Sequence, residues 1–257
     1  MAQYYFIAAA LPPLSLDARP ELSLKELREM LLINAAPADL KKVEYLLRPI
    51  DLSNIRAFWM GMPLDERGNF SPKELEEALL VRDSLPEYLI EYLERYELTA
   101  ERLRNFSSLY VSLFRDTQPK LDGFLLKYYV LERQIRLILT ALRAKRSGRD
   151  VVRELQFEDP TDLLVADILA QKDMSDYTPP EEFESLKALF VAHVDKPKEL
   201  QRALLEYRFA KYQEMEENEF FSMDRILGYM ARLLLVESWV SLDEEAGKQT
   251  IDDLSRF

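Results

Sequence analysis

Carboxylates are the most abundant reactive groups in this sequence: 46 Asp and Glu stand against 34 Lys and Arg, with a single histidine, His193. Paired carboxylates can exchange protons in general acid–base catalysis. So many acids also create accidental neighbours, however, and spacing distinguishes no pair. Zinc centres and di-iron Glu-x-x-His bundles need more histidine or cysteine than one His and no Cys provide. His193, in Phe190-Val191-Ala192-His193-Val194 at the end of a helical stretch, reads as packing or as a partner for a helix C-terminal dipole. The lack of Cys removes thiolate nucleophiles, thiolate metal sites and disulfides, which fits a reducing compartment. Phosphate-cradling loops need clustered glycines, and the six here are scattered.

One stretch imitates a calcium loop. With Gly68 at the turn position, Asp65, Ser71 and Glu74 fall at EF-hand positions three, nine and twelve, and Phe70 at eight. Positions one and five are then Pro63 and Arg67, which do not ligate cations, so a turn followed by a capping box accounts for the same residues. Tyr4-Tyr5 and Tyr128-Tyr129 read as packing aromatics rather than stacking platforms. No catalytic, cofactor-binding or metal residue is assigned from sequence.

The elements around these residues read as helices. Ser23-Leu24-Lys25-Glu26 and Ser71-Pro72-Lys73-Glu74 are capping boxes, the second with Pro at the first helical position. A stretch from about Pro37 carries Leu40, Val43, Leu46 and Leu47 on one face, is interrupted by Pro49, resumes with Leu52, Ile55, Phe58 and Trp59, and stops at Gly61. Pro86 and Thr99-Ala100-Glu101 open further helices. From Pro119 to Lys145, the residues Leu121, Leu125, Tyr128, Leu131, Ile135, Ile138 and Leu142 recur at steps of three and four. Phe124, Val130, Leu137 and Leu139 widen that stripe, which predicts a helix deep in the core, and Gly148 follows its basic last turn. Pro160-Thr161-Asp162 and Pro179-Pro180-Glu181-Glu182 start two more. Two long helices are expected at the C-terminal end, from Pro197 to about Glu217 and from Ser222 to Leu242. Between them Glu214, Glu216, Glu217 and Glu219 read as a solvated acidic turn.

Composition agrees with an all-α, multi-helix bundle. Average Gly usage of about 7% would give roughly eighteen in such a chain, three times what it holds; β-rich and nucleotide-binding α/β folds use glycines in their turns. No stretch alternates long enough for a strand, and no ankyrin or tetratricopeptide period is visible. The net charge of −12 repels nucleic acid and anionic lipid. The apolar segment from Tyr4 to Leu11 is short and has no basic residue before it, unlike a signal peptide, and no apolar run approaches the ~20 residues of a membrane span. The expectation is a soluble cytoplasmic protein.

Two segments share a local grammar. Asp51-Leu52-Ser53-Asn54-Ile55-Arg56 and Leu131-Glu132-Arg133-Gln134-Ile135-Arg136 each place an amide side chain before Ile and Arg. Glu132 and Arg136 are four apart and can pair along a helix, and such polar sets can reach backbone carbonyls of a neighbour. This grammar resembles the Glu-x-x-Asn-Ile/Leu-Arg signature of the C subunits of archaeal and bacterial V-type (A-type) ATPases, called d subunits in the vacuolar enzymes. Phe220-Phe221-Ser222-Met223-Asp224-Arg225-Ile226-Leu227-Gly228-Tyr229-Met230 is similar to that family's Pro-Phe-x-x-x-x-Ile-Leu-Gly-Tyr-Leu segment. Tyr4-Tyr5-Phe6 and the run from Leu131 to Arg143-Ala144-Lys145 fit the same order. The chain looks closer still to a shorter bacterial family, similar to the C subunits and encoded with V-type ATPase subunits. It departs from the pattern after Tyr229, where Leu234-Leu235-Val236-Glu237-Ser238-Trp239 replaces the repeated signature, and it is shorter than the C subunits themselves.

The resemblance implies one helical domain, 1–257, with the funnel of three related units that the C subunits form falling at about 1–96, 97–175 and 176–257. It further implies a non-catalytic central-rotor adaptor without cofactors. Its partners would be the central-shaft subunits and the proteolipid ring, with no nucleic acid and no small-molecule substrate, and its place the cytoplasmic face of the inner membrane. The alternatives are a helical scaffold of another cytoplasmic assembly, or a helical enzyme using paired carboxylates.

Overall fold

A computed structural model of the chain describes residues 4–82, 84–216 and 221–242. Their regular elements are helices, with no strand among the described residues. In chain order the α-helices are α1 (Tyr5–Ala10), α2 (Leu24–Asn34), α3 (Pro37–Trp59), α4 (Pro72–Val81), α5 (Glu87–Arg95), α6 (Thr99–Arg104), α7 (Phe106–Thr117), α8 (Gly123–Arg146), α9 (Val151–Glu154), α10 (Leu163–Ala170), α11 (Glu184–His193), α12 (Pro197–Met215) and α13 (Met223–Val240). Both capping boxes form as expected, at Ser23 with Glu26 and at Ser71 with Glu74. The all-α bundle read from sequence is what the chain adopts. None of these helices is long and apolar enough to cross a membrane.

The chain divides into two compact units, residues 41–190 and residues 1–40 with 191–257. The divisions expected near 96 and 175 both lie inside the first of these. In the 41–190 unit, α8 is the central rod: Leu125, Tyr128, Leu131, Ile135, Ile138 and Leu142 are all buried, as are Phe124, Leu137 and Leu139 beside the stripe. Its polar residues tie down the segment from Glu158 to Met174. Arg133 pairs with Glu158 at 3.2 Å and Asp162 at 2.9 Å, and Arg136 also reaches Glu158. Lys145 donates from Nζ to the carbonyls of Gln171, Lys172 and Met174, at 2.8, 2.6 and 2.6 Å. Those carbonyls gather where α10 ends, that of Gln171 also accepting the Met174 amide, and a cation there serves both hydrogen bonding and the helix dipole.

Helix α3 differs from expectation. Pro49 does not interrupt it; the helix runs through the proline to Trp59. A proline inside a helix leaves the carbonyl four residues earlier without its donor, here that of Tyr45. The Tyr129 hydroxyl of α8 donates to that carbonyl at 2.7 Å. Burial pushes the Tyr129 phenol well above its ordinary pKa, so it remains a donor. A tertiary hydrogen bond thus replaces the missing helical one, and α3 stays a single rod.

In the other unit α12 pairs with α13. Leu16, Leu205 and Val236 form a buried cluster, with Phe209, Leu235 and Trp239 packed against it. The α2 amide of Leu24 is capped by Glu237 of α13 at 2.7 Å. Arg202 donates to the Leu16 carbonyl at 2.8 Å and pairs with Asp17 and Glu206 at 2.6 and 2.7 Å. The acidic turn needs correcting at one residue. Glu214 is exposed on Lys211, but the Glu216 side chain is only 4% exposed and is held by Arg225 and Arg232. The two guanidiniums offset the cost of taking this carboxylate out of water, and removing either would leave a buried charge less compensated. Glu217, Glu219 and Phe220 lie outside the described residues.

Candidate protein-interaction surface

The C-terminal half of α3 and the segment after it form the most elaborately supported surface of the 41–190 unit. Two polar side chains on the inner face of α3 hold the returning chain. Asn54, 3% exposed, donates from Nδ2 to the Asp65 carbonyl at 2.8 Å and accepts the Asp65 amide at 2.7 Å. Asp51, 6% exposed, accepts the backbone amide of Asn69 at 2.7 Å and its side-chain amide at 2.6 Å. Gly68 passes so close that a Cβ there would lie 2.7 Å from Asp51 Oδ1 and 3.0 Å from Asn54 Nδ2. Burial raises the Asp51 carboxyl to about 6, outweighing the bonds from Asn69 and Phe70 and the charge of Arg48.

Between helix end and clamp lies the turn Met60-Gly61-Met62, with Gly61 at φ +67°, a conformation that favours glycine. Phe58 is 38% exposed, and Met60 and Met62 are each 50% exposed. Trp59 turns the other way. It stacks on Tyr92 at 6.1 Å between centroids and meets Phe106 edge-on at 6.0 Å, and Tyr96 and Tyr110 extend the cluster. Three guanidiniums lie over these rings: Arg102 over Trp59 at 5.5 Å, Arg56 over Phe106 at 5.7 Å and Arg95 over Tyr96 at 5.5 Å. Among the described residues none of the three has an ion-pair partner. Exposed Met and Phe beside ring-mounted Arg is the composition of protein interfaces rather than of ordinary surface.

The clamped segment also shapes a groove of about 450 Å³, lined by Asn69, Phe70, Glu74, Glu77, Ala78 and Val81 among others. The residues resembling a calcium loop lie here and do different work. Burial opposes ionisation of Asp65, but its bonds and charge contact with Arg67 prevail and hold its carboxyl below the usual range. Arg67 meets that carboxylate at 2.8 and 2.6 Å, and Glu74 is occupied by the Ser71 cap.

Other concavities offer different chemistry. A cleft of about 570 Å³ in the unit containing the chain ends is lined by His193, Lys196, Glu199, Arg202, Glu206 and Trp239, with other side chains. Its carboxylates are already engaged: Glu199 takes Lys196 at 2.9 Å and the His193 ring at 3.3 Å, and Glu206 takes Arg202 at 2.7 Å. His193 thus ends α11, as read from sequence, with its ring on a carboxylate. The carboxyl raised towards neutrality, Asp51, is covered by Gly68 and Asn69. The Phe58, Met60 and Met62 surface was not anticipated. Its signal was an apolar run, Phe58-Trp59-Met60-Gly61-Met62-Pro63, continuing past the helix stop where a polar loop is usual.

Comparison with known proteins places the chain by family. A family described as "Protein of unknown function (DUF2764)" matches residues 1–256, and the chain belongs to it. An uncharacterized protein of Chlamydia muridarum (strain MoPn / Nigg) is 32% identical over 260 residues, covering 98% of this chain and 97% of the relative. Uncharacterized proteins of Chlamydia trachomatis serovar D and Chlamydia pneumoniae are 29% and 28% identical, over 98% and 100% of this chain and 97% and 98% of theirs. No solved structure matches. These matches overturn membership of the V-type ATPase C-subunit family, expected from short motifs. The first of those motifs has a local explanation, since Asn54 secures the returning chain at Asp65.

Proposed function

We propose that this chain, a member of the DUF2764 family, is a non-catalytic helical adaptor that works through protein contacts. The observation that carries the reading is the Phe58, Met60 and Met62 surface, fixed on one side by the Trp59 aromatic cluster and on the other by the Asp51 and Asn54 clamp. A rigid backbone frame spares the loop-ordering part of the cost of binding, so apolar side chains mounted on it favour association. Close-packed rods such as α3 and α8 also transmit force with little compression, which suits a connector.

The central rotor of a bacterial V-type ATPase is the first assembly in which to test the role, with the chain joining shaft to proteolipid ring on the cytoplasmic face. That choice rests on the order of short motifs along the chain, not on family membership. Full-length protein is immobilised and offered purified shaft and ring subunits, alongside a Met60→Asp/Met62→Asp variant. Retention by the wild type and loss by the variant is the expected result. No retention at low or physiological salt removes the rotor role and leaves a scaffold of another assembly.

A further inference from the structure

The surface and the groove beside it are complementary. One presents Phe58, Met60 and Met62 next to Arg56 and Arg102, cations with no ion pair among the described residues. The terminal nitrogens of Arg102 remain available, since only its Nε is engaged, at 2.8 Å from the Tyr96 carbonyl. The other is lined by Phe70, Ala78 and Val81 together with Glu74 and Glu77, with Val81 exposed. Glu77 has no ion-pair partner among the described residues either. In a chain of net charge −12, unpaired arginines mounted on rings invite a carboxylate, and Glu77 supplies one beside the apolar floor of this groove.

Both features belong to one helix and the segment clamped to it. The turn follows the end of α3, while Asn69, which lines the groove, is bonded to Glu44 and Asp51 on the middle of α3. At 1.5 Å per residue the end of α3 and its middle, where Asn69 is held, lie roughly 18 Å apart, within the span of a standard interface. A two-fold axis between them would set each turn against the groove of the other copy, so one contact occurs twice.

We propose that a second copy of this chain is a partner of this surface, the Met60-Gly61-Met62 turn of each protomer seating in the Glu77 groove of the other. The proposal rests on reading the surface as a docking site, and it names one occupant. Seating buries methionines against Phe70 and Val81 and brings Arg56 and Arg102 to Glu77, so association weakens with salt.

Sedimentation velocity of the full chain tests it, from about 5 μM to about 500 μM and at about 0.05 and 0.5 M salt. The expected result is a monomer–dimer equilibrium, with the dissociation constant raised at least about tenfold by the higher salt or by Met60→Asp/Met62→Asp. Charge exchange is the sharper arm. Arg56→Glu/Arg102→Glu and Glu77→Lys should each be monomeric alone, because like charges meet, and should dimerise when mixed. Circular dichroism matching the wild type qualifies each variant, and the methionine pair serves if an arginine variant unfolds. A wild type that stays monomeric throughout, or a dimer indifferent to these substitutions, overturns the proposal. Retention by shaft and ring subunits would then still support the adaptor reading, whereas loss of both removes the surface as a docking site.

Discussion

Asp51 combines two demands that pull its proton in opposite directions. Burial favours the neutral acid, while the two Asn69 donors favour the anion, and burial prevails, leaving the group at about 6 against an ordinary 3.8. A folded-state pKa above the unfolded one means that folding takes up a proton between those values. The stabilisation is therefore complete below about 4 and is lost as pH rises through about 6. Asp51→Asn, which keeps one acceptor and no titrating proton, removes that dependence. The expected outcome is that wild type loses about 2–3 kcal/mol relative to Asp51→Asn between pH 4 and pH 7.5. Urea unfolding of both proteins at the two pH values measures it; a constant difference would mean that Asp51 does not titrate in this range. The carboxyls of Glu26, Asp65 and Glu74 are shifted downward and act with the opposite sign, so the comparison between variants is the informative one. None of this was legible from residue type. Sequence shows an Asp three residues before an Asn, but only the fold puts Gly68 over both.

Elements were easier to read than their joints. Capping boxes announce helix starts because they satisfy amides within four residues, and the α8 stripe announces burial because its period is that of a helix. Pro49 misled because its remedy is remote. The donor for the Tyr45 carbonyl comes from Tyr129, 84 residues away in sequence, and no local pattern marks it. This gives a prediction with an internal control. Tyr129→Phe leaves that carbonyl without its tertiary donor and should cost about 1–3 kcal/mol. In a Pro49→Ala background the helix supplies its own amide to Tyr45, so the same change should cost less, with a coupling of about 1–2 kcal/mol. Equal costs in both backgrounds, measured by denaturant unfolding, would show that the hydroxyl is not a substitute for the missing helical bond. A helix kept continuous in this way is also what allows one element to carry both the Asp51 clamp and the Met60 turn.

At the scale of the molecule, the docking features and the longest core helix all fall in residues 41–190, a continuous segment, whereas the second unit is assembled from both chain ends. The unit boundaries lie inside α3 and α11, so a piece with whole helices runs from Pro37 to His193. A chain of that size can bury roughly 70% of its unfolded surface, and its polar joints are internal: Tyr129 to Tyr45, Asp51 to Asn69, Arg133 to Glu158 and Lys145 to Met174. Residues 37–193 expressed alone should therefore be helical and unfold in one cooperative transition. They should also keep any association made through Met60 and Met62, with the salt dependence of the full chain. Circular dichroism under urea and sedimentation of the fragment test the two parts separately. A fragment that is disordered at low denaturant would show that the segment depends on the chain ends for its fold. One that folds but no longer associates would place part of the contact outside it. Sequence could not suggest this division, because it depends on which helices pack together rather than on where linkers fall; the boundaries lie within helices, where composition does not change.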